Sequence, residues 1–367
     1  MNFNIPLFKI FWDEEDIKAV SKTIRRGTYW ATGPEINEFE KKLSEYIGTK
    51  YAVVFNTGTS ALHAILMAYN VKHGDEIITP SLSFVSTANS VLFTGAKPVF
   101  ADVERKTYAL DVESVKENIT PKTKGIIPVH YGGIPCNDIK KIIDIAKDNN
   151  LFVLEDAAAA LGAKIGNKKV GNFGDSTMFS FCQNKIITTG EGGVIVTDSK
   201  DTYNKLKLLV SHGKSKEGYE CLGYNLRMPS MNASLGVSQL KKVNKLIDMR
   251  RKAAEYYNSK LKDIDGIETI KLPENSYPVY WIYPIIVKNN LRGELRDYLA
   301  QNGISSKLYY EPIHLTKLYQ KKYGYKKGML PNTEHFCDNS LSLPMFPHIK
   351  KSDIDYITDI INQKMKR

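Results

Sequence analysis

Three short stretches of the chain hold residues suited to chemistry. The first is Asn56-Thr57-Gly58-Thr59-Ser60-Ala61-Leu62, where a glycine turn runs into an apolar helix opened by Thr59 and Ser60. Backbone N–H groups and hydroxyls at such a helix start can bind a phosphate, helped by the helix dipole. Read alone, the stretch is more simply an ordinary Ser/Thr cap. It lacks the spacing and the lysine of a nucleotide-triphosphate loop. The second is Glu155-Asp156, which closes the apolar run Phe152-Val153-Leu154. An acid at a buried strand end needs a cationic or N–H partner, and by itself the pair reads as a structural ion pair. In the third, Lys185 stands in a Ser/Thr/Gly-rich, nearly uncharged stretch from Phe179 to Gly193. A lysine in such surroundings can shed its proton and act as a nucleophile.

Together the three stretches acquire a meaning that none has alone. Pyridoxal phosphate requires a phosphate cup, a carboxylate at its pyridine nitrogen and a lysine at its aldehyde. Here the cup, the acid and the lysine follow one another along the chain, with Lys185 29 residues after Asp156.

The elements that must position these groups read as α/β. From about residue 50 to 200, short β-rich runs alternate with helical stretches. Runs at 51–55, 76–79 (stopped by Pro80), 99–102, 126–130, 152–156, 177–181 and 194–197 are expected strands, with helices at 60–69 and 138–147. Strands that are apolar on both faces and separated by helices form a mainly parallel, doubly covered sheet. Such sheets gather function at the carboxyl ends of their strands, where Asn56, Asp156 and the residues after Phe181 fall. Beyond about residue 235 the pattern predicts one long helix over 236–262. Strands at 280–287 and 304–308 and helices at 292–301 and 352–364 then suggest a smaller α+β domain. The expected boundaries are 13–240 and 241–367, with residues 1–12 packing near the smaller part.

Composition sets the limits. The 367 residues, 42% hydrophobic and 25% charged, suit a globular chain of about two domains. The 51 Lys and Arg against 40 Asp and Glu give a net charge of +11. The basic clusters, such as Lys241-Lys242 and Arg250-Arg251-Lys252, are scattered, read as solvated helix faces and belong to no nucleic-acid-binding motif. A mild positive field also suits an anionic small substrate. Four separated cysteines without a C-x-x-C pair argue against zinc and against a disulfide framework. No apolar run is long enough to span a bilayer, and acids at 13–16 precede any signal-peptide core. A cytoplasmic protein is expected, with no metal, nucleic acid or membrane partner.

The chain resembles the nucleotide-sugar aminotransferases, fold-type-I pyridoxal-phosphate enzymes, nearly end to end. The likeness runs through Thr32-Gly33-Pro34, Gly58-Thr59-Ser60-Ala61-Leu62, Gly74-Asp75-Glu76, Glu155-Asp156-Ala157-Ala158 and Asn184-Lys185 with Thr188-Thr189-Gly190-Glu191-Gly192-Gly193. It continues in Gly223-Tyr224-Asn225-Leu226-Arg227-Met228 and Pro312-Ile313-His314-Leu315. It implies a seven-stranded sheet in a large three-layer domain, a smaller C-terminal domain and a homodimer with shared active sites. It also implies that Lys185 joins the cofactor as a Schiff base and later shuttles the proton, while Asp156 holds the pyridine nitrogen protonated. Phe84 would stack on the ring. Gly58, Thr59, Ser60 and Ser180 would contact the phosphate, with Asn225 reaching it from the neighbouring subunit. Thr32, Arg227 and His314 are expected near the sugar.

The chain departs from the family pattern at Ala159, where Gln or His is usual, and at Cys182 and Gln183, where many members have His and Pro. A dehydrating branch replaces the lysine with His, so Lys185 implies amino transfer. The expected reaction moves an amino group from L-glutamate to a nucleotide-linked keto sugar in amino-sugar or surface-polysaccharide biosynthesis. The run around Lys185 looks most like perosamine synthases and favours a 4-keto hexose. A 3-keto sugar, or a non-catalytic regulatory protein on the same fold, is the alternative.

Overall fold

The computed structural model describes residues 3–366. Residues 1, 2 and 367, which fall within the expected terminal boundaries, lie outside the described residues.

Seven strands build the central sheet: β1 (Tyr51–Phe55), β2 (Glu76–Pro80), β3 (Lys97–Ala101), β4 (Thr123–Ile126), β5 (Phe152–Asp156), β6 (Ser176–Ser180) and β7 (Gly193–Thr197). Their spatial order is β1-β7-β6-β5-β4-β2-β3. All neighbours are parallel except β7, which runs antiparallel to both β1 and β6. The sheet is therefore mainly parallel, as expected. Most of these strands are buried along nearly their whole length because both faces of the sheet are covered. Val53, Phe55, Leu154, Met178 and Ile195 pack on one face, against the helix Gly58–Ala68 (α3). Ala52, Val54, Phe179, Val194 and Val196 enter the core on the other, with Phe39 and Leu43 of Pro34–Ile47 (α2), the element after Glu14–Arg25 (α1).

Three local expectations are corrected. Pro80 does not stop β2 but is its last residue. The strand expected over 126–130 is instead Thr123–Ile126; beyond it Ile127 still donates to the Ile78 carbonyl and Val129 bridges Asp156, but Pro128 has no N–H to continue the ladder. The segment 304–308 forms only isolated bridges, Ile304 to Ile5 and Lys307 to Ser342.

The long helix expected over 236–262 is two helices, Ser230–Leu240 and Val243–Leu261. Lys242 sits at the break, and its Nζ bridges Asp13 at 2.6 Å and Asp16 at 2.8 Å, tying the start of α1 to this corner. Nor is Arg250 on a solvated face: it is 2% exposed and donates to the carbonyls of Tyr280, Trp281 and Met345. Beyond this point a three-stranded antiparallel sheet (Ile267–Thr269, Tyr283–Val287, Ser340–Leu343) packs with Tyr257, Leu299 and Ile357 in an apolar cluster of its own.

Candidate active site

Helix α3 begins at Gly58, and its cap is Thr57 rather than Thr59 or Ser60. Thr57 has extended backbone, and its Oγ1 accepts the Ser60 N–H at 3.0 Å. The first intrahelical bond joins the Ala61 N–H to the Thr57 carbonyl, which leaves the Gly58 and Thr59 N–H groups without a helical acceptor. Two hydroxyl pairs flank them at 2.8 Å, Thr57 with Ser60 and Thr59 with Ser86. Glycine is required for the close approach. A Cβ on Gly193 would lie 2.7 Å from the Gly58 backbone, and one on Gly58 would lie 3.2 Å from Met178 Sδ and 3.3 Å from Ser180 Cβ. The helix start, the end of β6 and the start of β7 thereby converge on one cradle of N–H and hydroxyl donors, which suits a phosphate monoester.

Asp156, at the end of β5, is 4% exposed. Its Oδ2 accepts the Thr87 hydroxyl at 2.7 Å and its Oδ1 the Ala158 N–H at 3.1 Å. Burial raises the carboxyl above its ordinary range, against the pull of these donors and of the Lys185 charge. The preceding acid has a different role. Glu155 accepts from the Phe173 and Gly174 N–H groups and from the Thr177 hydroxyl. His130 Nδ1 accepts the Cys136 N–H, so Nε2 carries the proton and donates to Glu155 at 3.0 Å. Burial pushes Glu155 up, but these partners bring it below the ordinary value. Glu155 thus satisfies the buried strand end and leaves Asp156 for a ligand.

Lys185 lies in the loop between β6 and β7. That loop is pinned by Phe181 to Gly192, Thr189 to Phe181 and Lys185 to Cys182 backbone bonds. Lys185 Nζ sits 3.7 Å from the centre of the Trp281 ring, and the Trp281 indole N–H donates to the Asn184 carbonyl at 2.7 Å. Burial brings the Lys185 ammonium down to about 8, partly offset by the charge of Asp156. Phe84, just before the helix Ser86–Phe93 (α4), keeps 55% of its surface exposed and leans on Tyr310 with ring centres 5.4 Å apart.

The structure therefore brings together Gly58, Thr59, Ser60 and Ser180 at the cradle, and Asp156 with Lys185 near enough to sense each other's charge. Asn225 is exposed and its side chain bonds to none of the described residues. Thr32 and Arg227 share a separate cleft with Lys207 and Ser211, where Arg227 donates to Ser211 Oγ at 3.0 Å. His314 does not face a ligand: it is fully buried, with Nδ1 on Ser81 Oγ and Nε2 on Glu334. Those bonds hold the turn at Ile313–Leu315 and leave no polar atom for a sugar. Ala159, buried beside the site, presents only a methyl group.

Sequence reasoning missed Thr87, Ser86, Trp281 and Tyr310. The hydroxyls at Ser83, Ser86 and Thr87, spaced along one helical turn beside Phe84, were the available signal for two of them. Trp281 and Tyr310 carry no local signal. The donor cradle, the buried carboxylate and the depressed lysine together suit pyridoxal phosphate.

Comparison with known proteins agrees. Residues 11–362 match the DegT/DnrJ/EryC1/StrS aminotransferase family. GDP-perosamine synthase of Escherichia coli O157:H7 is 33% identical, with 98% of each chain covered. PseC of Helicobacter pylori, an aminotransferase involved in pseudaminic acid biosynthesis, superposes with a TM-score of 0.93 at 31% identity over 99% of each chain. Spr1654 of Streptococcus pneumoniae, a sugar aminotransferase solved in a PLP form, gives a TM-score of 0.93 at 28% identity over 99% of each chain. The chain is a sugar aminotransferase of the DegT/DnrJ/EryC1/StrS family.

Proposed function

We propose that this enzyme uses pyridoxal phosphate to move the amino group of L-glutamate to a nucleotide-linked 4-keto hexose, in amino-sugar biosynthesis for surface polysaccharide. The observation that carries the reading is the meeting of Lys185 and Asp156 in one site beside the Gly58 cradle. When bound, the cofactor supplies an aldehyde that takes up the amine and a ring that accepts electrons.

The chain's residues divide the remaining work. The Gly58 and Thr59 N–H groups, with Thr59, Ser60 and Ser180 hydroxyls, hold the phosphate. Asp156 accepts a hydrogen bond from the ring nitrogen and keeps it protonated. Phe84 covers one face of the ring. Lys185 would hold the cofactor's aldehyde and, once displaced as a free amine, would serve as the base that removes the donor's Cα proton and as the acid that delivers it back. Glutamate leaves as 2-oxoglutarate, and its nitrogen passes to the keto carbon of the sugar.

Arg292, Arg296 and Lys307 line a cleft with Phe84, Tyr310 and Glu311. Three cations against one acid on the wall beside Phe84 support an anionic, phosphate-bearing substrate. The 4-keto preference rests on the run around Lys185 and on the likeness to GDP-perosamine synthases.

A homodimer with shared sites is supported by the exposed large apolar side chains Tyr29, Trp30, Phe93, Tyr219, Leu222 and Tyr224, the last three within six residues of exposed Asn225 in sequence. Phe93 and Tyr224 both contact the His63 ring, so part of this surface is continuous. The separate apolar cluster beyond the break at Lys242 supports domains at 13–240 and 241–367. Four free cysteines, one exposed, support a reducing cytoplasm. Among the described residues, no helix is long and apolar enough to cross a membrane.

The test is a panel of nucleotide-linked 3-keto and 4-keto sugars with glutamate as donor. Amination of a 4-keto hexose is expected. Amination of 3-keto sugars alone contradicts the substrate, and failure of glutamate to donate contradicts the donor.

A further inference from the structure

The turn that opens α4 links the phosphate end of the site to its buried carboxylate. Ser86 Oγ lies 2.8 Å from Thr59 Oγ1 at the phosphate end. The Thr87 N–H donates to the carbonyl of Phe84 at 3.1 Å, fixing the backbone that presents that ring. The Thr87 hydroxyl donates to Asp156 Oδ2 at 2.7 Å, across 69 residues of sequence. Ser83 Oγ stands 2.7 Å from Thr87 Oγ1. Because Thr87 has one hydroxyl proton and gives it to the carboxylate, Ser83 must be the donor to Thr87. The result is a directed chain, Ser83 to Thr87 to Asp156. All three residues are buried, at 4%, 1% and 4% exposure.

We propose that Thr87 is a positioning residue that, backed by Ser83, aims the Asp156 carboxylate and keeps it ionised for the pyridine nitrogen of the cofactor. The proposal rests on the reading of this site as a pyridoxal-phosphate site. Its physical basis is that a hydrogen bond to the charged form favours that form, and a second donor behind the first strengthens it. Burial acts on Asp156 in the opposite direction. Without the Thr87 hydroxyl, Oδ2 has no side-chain donor, and a protonated acid would leave the ring nitrogen without its ionic partner. Thr87 touches the carboxylate and not the reacting atoms, so its effect must be read at the ring nitrogen.

The experiment loads wild type, Thr87→Val, Thr87→Ser and Ser83→Ala with cofactor labelled with ¹⁵N in the pyridine ring, and records its nitrogen resonance. Wild type should show a protonated nitrogen. Thr87→Val should move the signal toward the unprotonated form and lower kcat by roughly tenfold to a hundredfold, the scale of one charge-assisted hydrogen bond. KM for glutamate should stay within about twofold, since the contact acts on the ring rather than on donor binding. Thr87→Ser should restore both signal and rate, which mere packing by the lost methyl would not. Ser83→Ala should give a smaller shift in the same direction, and it keeps the test open if Thr87→Val does not fold. A protonated nitrogen in every variant overturns the role of Thr87 alone. A wild type that holds no cofactor overturns the reading of the site itself.

Discussion

Lys185 Nζ lies 3.7 Å from the centre of the Trp281 ring, and the same indole donates its N–H to the carbonyl of Asn184 at 2.7 Å. One side chain thus braces both the backbone before the lysine and its amine. Trp281→Leu should slow the recombination of apoenzyme with pyridoxal phosphate by roughly tenfold, the scale of a lost buried hydrogen bond, because the backbone before the lysine loses its indole donor. Trp281→Phe, which keeps a ring and loses the N–H, should fall between that variant and wild type. Stopped-flow absorbance measures all three, and equal rates would dismiss the brace.

Asp156→Asn should still bind cofactor, because the phosphate cradle and Lys185 are untouched. Its kcat should fall by roughly a hundredfold or more, since a ring without an ionic partner is a poorer electron sink. Half-reaction kinetics with glutamate deuterated at Cα would locate the loss in proton removal. An unchanged rate would mean that another group serves the ring nitrogen.

The acidity of Lys185 predicts a pH profile. Burial brings its ammonium from the ordinary 10.5 down to about 8, and only the free amine attacks an aldehyde. The free fraction grows as pH rises toward 8 and saturates above it. Apoenzyme recombination should therefore rise about tenfold per pH unit below that point and level off beyond it. A lysine of ordinary acidity would keep gaining rate through about pH 10.

Asn225 tests the shared site. Its side chain is exposed and finds no partner among the described residues of its own chain. When Lys185→Ala and Asn225→Asp proteins exchange subunits, each mixed dimer should carry both lesions in one site and none in the other. Activity should recover toward half of normal per mixed dimer. Proven exchange without recovery would confine Asn225 to its own subunit.

Most of the sheet was legible because its strands carry short apolar runs, but the strand Thr123–Ile126 was misplaced because Thr123-Lys124-Gly125 carries no such signal. The three chemical stretches were legible because each sits at a strand end or helix start. Contacts between distant segments were not. The Thr87 to Asp156 bond spans 69 residues and the Trp281 to Asn184 bond 97, so no local pattern marks either. Lys242 and Arg250 read as surface charge, yet Lys242 holds Asp13 and Asp16 and Arg250 is buried on three carbonyls. His314 shows the opposite error, since a motif histidine suggested a ligand contact and Ser81 with Glu334 takes both its ring nitrogens.

The central claim is that Lys185 holds the cofactor, and borohydride reduction of the enzyme loaded with pyridoxal phosphate tests it most directly. Peptide mapping should find the reduced cofactor covalently fixed on Lys185, and Lys185→Ala protein should carry none. Label on a different lysine, or no label after full loading, would contradict the account.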